Sequence, residues 1–414
     1  MPGFSLWRIA VPAFGPTVLN AVGQGAVLPV VALSALQLGA SVGFAAFLVG
    51  VLGIGQFAGS LPAGALVVRI GERRALLVAA VVSAVAWCAA MVVRTPWLLG
   101  LSLLVAGLAG AVFSLARQSY VTEVVPVELR ARALSTLGGV NRIGLFVGPF
   151  LGALAGHYWG MPGAYAVGVA GSIGAIVVLV TAGEPQGAHE PLQVERLSLK
   201  QVLWAHRRTF LTLGTGVFVI AVARAARTSL IPLWGEHLGL SATDTSIVFG
   251  ITNGIEMLLF YPAGLIMDRL GRVWIAVPAT VLLGIGMLTL PLSTAFTSIL
   301  AVGVLMAVGN GLGSGIVKTL GADAAPPGHR AQFLAGWTFC AEFGSVIGPV
   351  LIGAITLVFP LAAASLTLGA LTLTGSTWLA KWVPTFDPRR ATKGISGQIS
   401  TGTPCRAPAP GDNS

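Results

Sequence analysis

Apolar stretches of about 20 residues, the length that carries a helix across roughly 30 Å of hydrocarbon, recur from one end of this 414-residue chain to the other. We read twelve of them, over 10–36, 42–68, 75–94, 97–120, 133–157, 163–182, 209–235, 242–267, 274–294, 297–318, 332–357 and 359–381. Composition points the same way. With charged residues at 9%, hydrophobic residues at 55% and 55 glycines, the chain cannot surface several water-soluble domains. The fold class that follows is all-α integral membrane. The first stretch is too long for a signal-peptide core and has a counterpart inside the chain, so it counts as a helix.

Basic residues orient the series, because Lys and Arg in short loops are retained in the cytoplasm. Arg69, Arg73, Arg74, Arg130, Arg132, Arg196, Lys200, Arg207, Arg208, Arg269, Arg272 and Arg330 fall in even-numbered connections, and the odd-numbered ones hold only Arg94. Both termini are therefore expected in the cytoplasm, in a multi-pass inner-membrane protein. The same bias accounts for the net charge of +10 without a nucleic-acid partner. Cys88, Cys340 and Cys405 show no metal-ligand or pairing pattern and read as packing thiols.

An offset of 200 residues superposes the two halves of the chain without a gap. Pro62-Ala63-Gly64 matches Pro262-Ala263-Gly264, Arg69 and Gly71 match Arg269 and Gly271, and Pro126 and Arg130 match Pro326 and Arg330. Gly144, Gly148 and Pro149 likewise match Gly344, Gly348 and Pro349. An offset spanning six helices gives both halves the same orientation, related by a pseudo-two-fold axis along the membrane normal. The organisation read from this is a six-helix bundle over 1–182, a polar cytoplasmic linker with a short surface helix over 183–208, a second six-helix bundle over 209–383, and a disordered cytoplasmic tail over 384–414.

The loop after the eighth stretch reads Gly264-Leu-Ile-Met-Asp268-Arg269-Leu-Gly271-Arg272, and the second is followed by a degenerate copy built on Gly64, Val68, Arg69 and Gly71. This resembles motif A of the major facilitator superfamily, and the resemblance covers nearly the whole chain. It implies the major facilitator fold and a conformational latch, in which the glycine permits close helix approach and the acid faces a neighbouring helix N-terminus. Family geometry brings the loop after helix 8 to the start of helix 5 and that after helix 2 to the start of helix 11. Val68 stands where the first-half acid belongs, so the latch is expected to be one-sided. The fifth stretch carries Gly144, Gly148, Pro149 and Gly152, which resembles motif C of the drug/proton antiporter group, and the eleventh repeats it as Gly344, Gly348 and Pro349. Small residues allow tight helix packing and proline bends a helix. Generic packing explains these residues too, and between export and import the resemblance favours export.

Ionisable groups inside a bilayer are costly and mark pathways. Arg142, Arg224, Arg227, Glu256 and Glu342 lie on stretches 5, 7, 8 and 11 alone, with a net charge of +1. The offset pairs Gln24 with Arg224, Gln56 with Glu256, and Arg142 with Glu342, which suits an asymmetric substrate near the pseudo-two-fold axis. Arg142 and Glu256 each lie 12 residues from a loop charge, about 18 Å deep at 1.5 Å per residue. An Arg142–Glu256 ion pair is expected. Gln56 and Glu342 are level by the same count, which leaves Glu342 facing a neutral amide. Desolvation without a full counter-charge disfavours ionisation, so Glu342 is the first choice for proton coupling. The competing reading is a fixed bridge from Glu342 to Arg224. Arg224 and Arg227 share a helical face and either grip an anionic group or neutralise the glutamates. Asn20 and Asn253 add hydrogen-bonding groups, and Phe249, Phe260 and Phe339 are candidates for apolar wall. Arg117, Glu123, Lys318 and Asp323 read as an end-of-helix charge network. Glu236, His237, Asp244 and His157 read as solvated loop groups.

Gly309-Asn-Gly311-Leu-Gly313-Ser-Gly315 has no preceding strand and reads as tight helix packing rather than a nucleotide loop. With no phosphate-binding lysine loop and no metal-spaced cluster, the expectation is no enzyme, no cofactor and no ATP drive. The reading is a monomeric secondary-active transporter driven by the proton gradient. Its partners are the lipid bilayer, protons and a small amphipathic, anionic substrate. Its competitors are an importer or facilitator of a small anionic metabolite and a non-transporting sensor.

Overall fold

A computed structural model describes residues 10–125, 127–181, 204–326 and 330–386. Among them the chain is helical throughout. The first half supplies α1 (Ala10–Val27, continued by Leu28–Val30 and Val31–Gln37), α2 (Val42–Ile70), α3 (Glu72–Val92), α4 (Pro96–Val124), α5 (Val127–Trp159) and α6 (Met161–Thr181). The second supplies α7 (Arg207–Thr209, Phe210–Gly214 and Thr215–His237), α8 (Ala242–Leu270), α9 (Val273–Thr289), α10 (Phe296–Leu312, then Ile316–Ala324), α11 (Arg330–Thr356) and α12 (Leu361–Trp382). The expected linker helix and nearly all of the expected tail lie outside the described residues, as do the side chains of Glu123, Arg130, Arg132, Arg196, Lys200 and Arg330.

Eleven of these helices are long and apolar enough to cross a membrane. The twelfth, α12, is diluted by hydroxyl residues. Thr367, Thr372, Thr374, Ser376 and Thr377 each donate to a backbone carbonyl three or four residues back, so none of them presents an unmet donor to lipid.

The breaks have local causes. Pro29 withholds an N–H and α1 tightens to a 3-10 turn over Leu28–Val30. α10 loosens where Gly311, Gly313 and Gly315 fall within five residues. Ser41 caps α2 by accepting from the Phe44 N–H at 3.2 Å. Its repeat partner Ser241 caps α8 and forms a reciprocal box with Asp244. Asp244 is thus a capping group, and Glu236, His237 and His157 belong to helix ends rather than to loops. α2 and α8 both end on a left-handed glycine, Gly71 at φ +82° and Gly271 at φ +106°. A side chain there would be strained, which gives these two motif glycines their reason.

The two halves pack alike: α1 on α5 and α6, α2 on α4 and α3 on α6 in the first; α7 on α11 and α12, α8 on α10 and α9 on α12 in the second. They meet along α2–α11 and α5–α8. On the side away from the α2–α3 and α8–α9 loops, residues of both halves, among them Val31, Leu33 in α1 and Leu230, Ile231 and Trp234 in α7, are buried at their shared end. On the loop side the cores separate into one around Leu76, Phe113 and Tyr120 and another around Ile275, Phe333 and Trp337. The molecule is closed on one face and parted on the other.

Candidate substrate site

The second half carries a buried polar brace. Arg227 of α7, 5% exposed, forms an ion pair with Glu256 of α8, whose other carboxylate oxygen accepts from the Asn310 amide of α10 at 2.6 Å. Gly311 lets this brace close, since a methyl group there would sit 3.0 Å from the Glu256 Cα. Gly309 similarly admits the Ala279 carbonyl, so the glycine run of α10 does serve close packing.

This corrects the expected Arg142–Glu256 pair. The Arg142 guanidinium lies 4.1 Å from the centre of the Phe260 ring, within reach of the Glu256 charge but not bonded to it. Counting residues fixes depth along a helix and leaves its rotation free, and rotation presents Arg227 to Glu256. Arg227 is therefore not available to grip a ligand with Arg224. The Arg224 guanidinium makes no hydrogen bond or ion pair among the described residues and feels Glu256, Arg142 and Arg227 through space. The alternative Glu342–Arg224 bridge is not formed. Glu342 lies within hydrogen-bonding reach of Ser60 on α2 rather than Gln56, beside Phe339 and Phe343 and the Phe57 ring.

The first half holds the repeat-related copy of the brace, and it is open. Where the second half has Arg224, Arg227, Glu256 and Asn310, the first has Gln24, Val27, Gln56 and Gly110. A methyl group on Gly110 would lie 3.6 Å from the Gln56 amide nitrogen and 3.7 Å from that of Gln24. Neither amide makes a hydrogen bond among the described residues. In front of them is a cavity of 210 Å³, lined by Gln24, Gln56, Gly53 and Trp87 from the first half and Thr228 and Ser345 from the second. Val27, Leu28, Val49 and Leu52 furnish its apolar wall. Phe249 is buried in the core, Phe260 is taken by Arg142, and Phe339 packs on Phe57, so the three expected wall residues are engaged elsewhere. Asn20, one turn from Gln24, is 9% exposed.

Arg117 and Lys318, expected in an end-of-helix network, belong with the central charges. Arg117 donates to Asn141, the neighbour of Arg142, at 2.8 Å, and Lys318 lies within electrostatic reach of Arg117, Arg142 and Arg224. Asp323 keeps the expected role, bridging to Arg272 at 2.8 Å. Arg73 secures the other loop by donating to the Leu179 and Val180 carbonyls at the end of α6.

At the motif C positions the helices nearly touch. Methyl groups on Gly144 and Gly148 of α5 would come within 2.5 and 2.3 Å of α1, and one on Gly152 would lie 2.9 Å from the Ala26 carbonyl. On α11, Gly344 and Gly348 would meet the Phe218 and Val222 carbonyls of α7 at 2.6 Å. Pro149 and Pro349 each deprive the carbonyl four residues earlier of its helical donor. For Leu145 the replacement comes from the other half, as Asn253 donates its side-chain amide at 2.9 Å. The motif A residues behave otherwise. Gly264 has open space around it and Gly64 meets nothing nearer than 3.9 Å, so neither mediates the expected close approach. Asp268 and Arg69 are exposed, and Asp268 has no ion-pair partner among the described residues. Val68 is 82% exposed. These residues lie on the face where the halves are parted.

A family model described as Major Facilitator Superfamily matches residues 14–260 and 213–408. The multidrug resistance protein MdtH of Klebsiella pneumoniae is 25% identical over 369 residues, covering 85% of this chain and 89% of the relative. An uncharacterised MFS-type transporter of Methanocaldococcus jannaschii is 23% identical over 244 residues, 57% of this chain and 62% of the relative. Among solved structures, a POT family transporter in complex with a thioalcohol-conjugated peptide superposes with a TM-score of 0.76 at 12% identity, covering 92% of this chain and 96% of that one. The D-xylose-proton symporter gives 0.70 at 15% identity, covering 92% and 98%.

Proposed function

Because the chain belongs to the Major Facilitator Superfamily and is a multi-pass membrane transporter, we propose that its central cavity is the cargo site of a proton-coupled exporter of small amphipathic anions, working by alternating access. The observation that carries the reading is the imbalance of charge among the central helices. Glu256 is bonded to Arg227, so Arg142, Arg224, Arg117 and Lys318 have no bonded carboxylate among the described residues. Cations held together at low dielectric favour an anion among them. The apolar wall of Val27, Val49, Leu52 and Trp87 takes the body of such a molecule.

Glu342 is the proton carrier in this reading. Among the described residues it has no basic partner. A carboxyl inside the membrane without a counter-charge is suited to taking up and releasing a proton. With the termini in the cytoplasm, as the basic loops require, the parted face opens to the cytoplasm and receives cargo there. The resemblance to a multidrug resistance protein supports export. The protein acts as a monomer in the inner membrane.

Inverted vesicles carrying the purified chain test this. An imposed proton gradient, acid inside, should drive uptake of an aromatic carboxylate, and Glu342→Gln should abolish the gradient response while leaving cargo binding intact. Gradient-driven uptake by the Glu342→Gln protein would overturn the assignment of the carrier. Accumulation only in right-side-out vesicles would make the protein an importer.

A further inference from the structure

The repeat supplies a second released carbonyl. Pro349 withholds an N–H from Ser345 just as Pro149 withholds one from Leu145. At the Leu145 site the donor is Asn253. The residue equivalent to Asn253 in the other half is Gly53, which has no side chain to offer, and a methyl group built on it would lie 3.9 Å from the Ser345 carbonyl oxygen. Gly53, Ser345 and Pro349 all line the central cavity, together with the uncommitted amides of Gln24 and Gln56. The cavity thus presents a backbone acceptor that its own helix cannot satisfy, in the place where the sister site is satisfied by an amide N–H.

We infer that the Ser345 carbonyl is the point at which the cavity accepts a hydrogen bond from its cargo, and that the cargo is an anion bearing an amide N–H or similar neutral donor. A lone ammonium does not fit, because Arg224 stands one turn from Thr228 on the cavity wall and repels it. An amidated carboxylate satisfies both, its anionic end toward Arg224 and its N–H toward Ser345. The inference rests on reading the cavity as the cargo site.

Benzoylglycine and benzoyl-N-methylglycine share charge and ring and differ in one amide N–H. Binding of each to the full-length protein in lipid nanodiscs is measured by calorimetry. The wild type is expected to favour benzoylglycine by about tenfold. Pro349→Ala returns an N–H to the helix beneath Ser345, and Gly53→Asn supplies the side chain that Asn253 supplies opposite. Loss of the preference in either folded variant supports the inference. Survival of the preference in both overturns it, as does a wild type that binds the two probes alike or binds neither. If the preference behaves as expected but saturating benzoylglycine leaves proton-driven uptake into inverted vesicles unchanged, the acceptor stands and the cargo-site reading falls.

Discussion

The side-chain amide of Asn253 in the second half donates at 2.9 Å to the backbone carbonyl of Leu145 in the first, an acceptor that exists because residue 149 is proline. Removing the amide by Asn253→Ala should destabilise the protein by about 1 kcal/mol, in the range of interhelical hydrogen bonds in membranes. In a Pro149→Ala background, where the helix satisfies its own carbonyl, the same substitution should cost far less. Thermal unfolding of the four proteins in detergent closes this double-mutant cycle, and additive effects would refute the coupling.

Breaking the Arg227–Glu256 pair from one side leaves a buried charge without a partner. Arg227→Gln or Glu256→Gln alone should each cost about 3–5 kcal/mol and depress expression. The double replacement Arg227→Met, Glu256→Gln should recover most of that loss. Arg142→Gln, at a residue that stacks on Phe260 and is not bonded to Glu256, should leave the unfolding midpoint nearly unchanged.

Arg224 offers the opposite signature. Arg224→Gln removes a guanidinium with no bonded partner among the described residues, so stability should hold. The KM for an anionic cargo should rise about tenfold, the value of one charge-assisted contact. Initial rates in proteoliposomes give the KM, and equal losses for anionic and neutral cargoes would count against an anion contact.

Glycines of the two motifs should separate cleanly. Gly148→Val places a side chain against the Val22 carbonyl, where a methyl group alone would lie at 2.3 Å, and should prevent stable folding. Gly264→Ala enters open space and should leave the midpoint within about 0.5 kcal/mol of wild type. Fluorescence-detected size exclusion ranks both variants directly.

The helices and their pairing were legible because length, apolarity and the 200-residue offset are properties of the sequence itself. Gln24 and Gln56 were legible for the same reason, as neutral counterparts of Arg224 and Glu256. The partner of Glu256 was not, because Arg142 and Arg227 sit on different helices and only the rotation of each decides which one arrives. Arg117 and Lys318 were misread as end groups because distance along the chain does not show which neighbours their side chains meet, Asn141 for Arg117 and the Arg142 and Arg224 charges for Lys318. The Asn253–Leu145 bond left a readable trace, a proline in one half and an amide at a matching depth in the other. The difference between Asn253 and Gly53 was the same trace seen in its absence.

The brace of Arg227, Glu256 and Asn310 bears on stoichiometry. A duplicated chain inherits two seats related by its axis, and a transporter with both seats usable would carry two cargoes per cycle or let one escape while the other is held. Filling one seat with side chains from its own helices leaves open only the repeat-related seat, where Val27, Gln56 and Gly110 are smaller or neutral. One molecule per conformational cycle is the expected stoichiometry, and mutations that change what is carried should accumulate around the open seat, in the residues of both halves that line it.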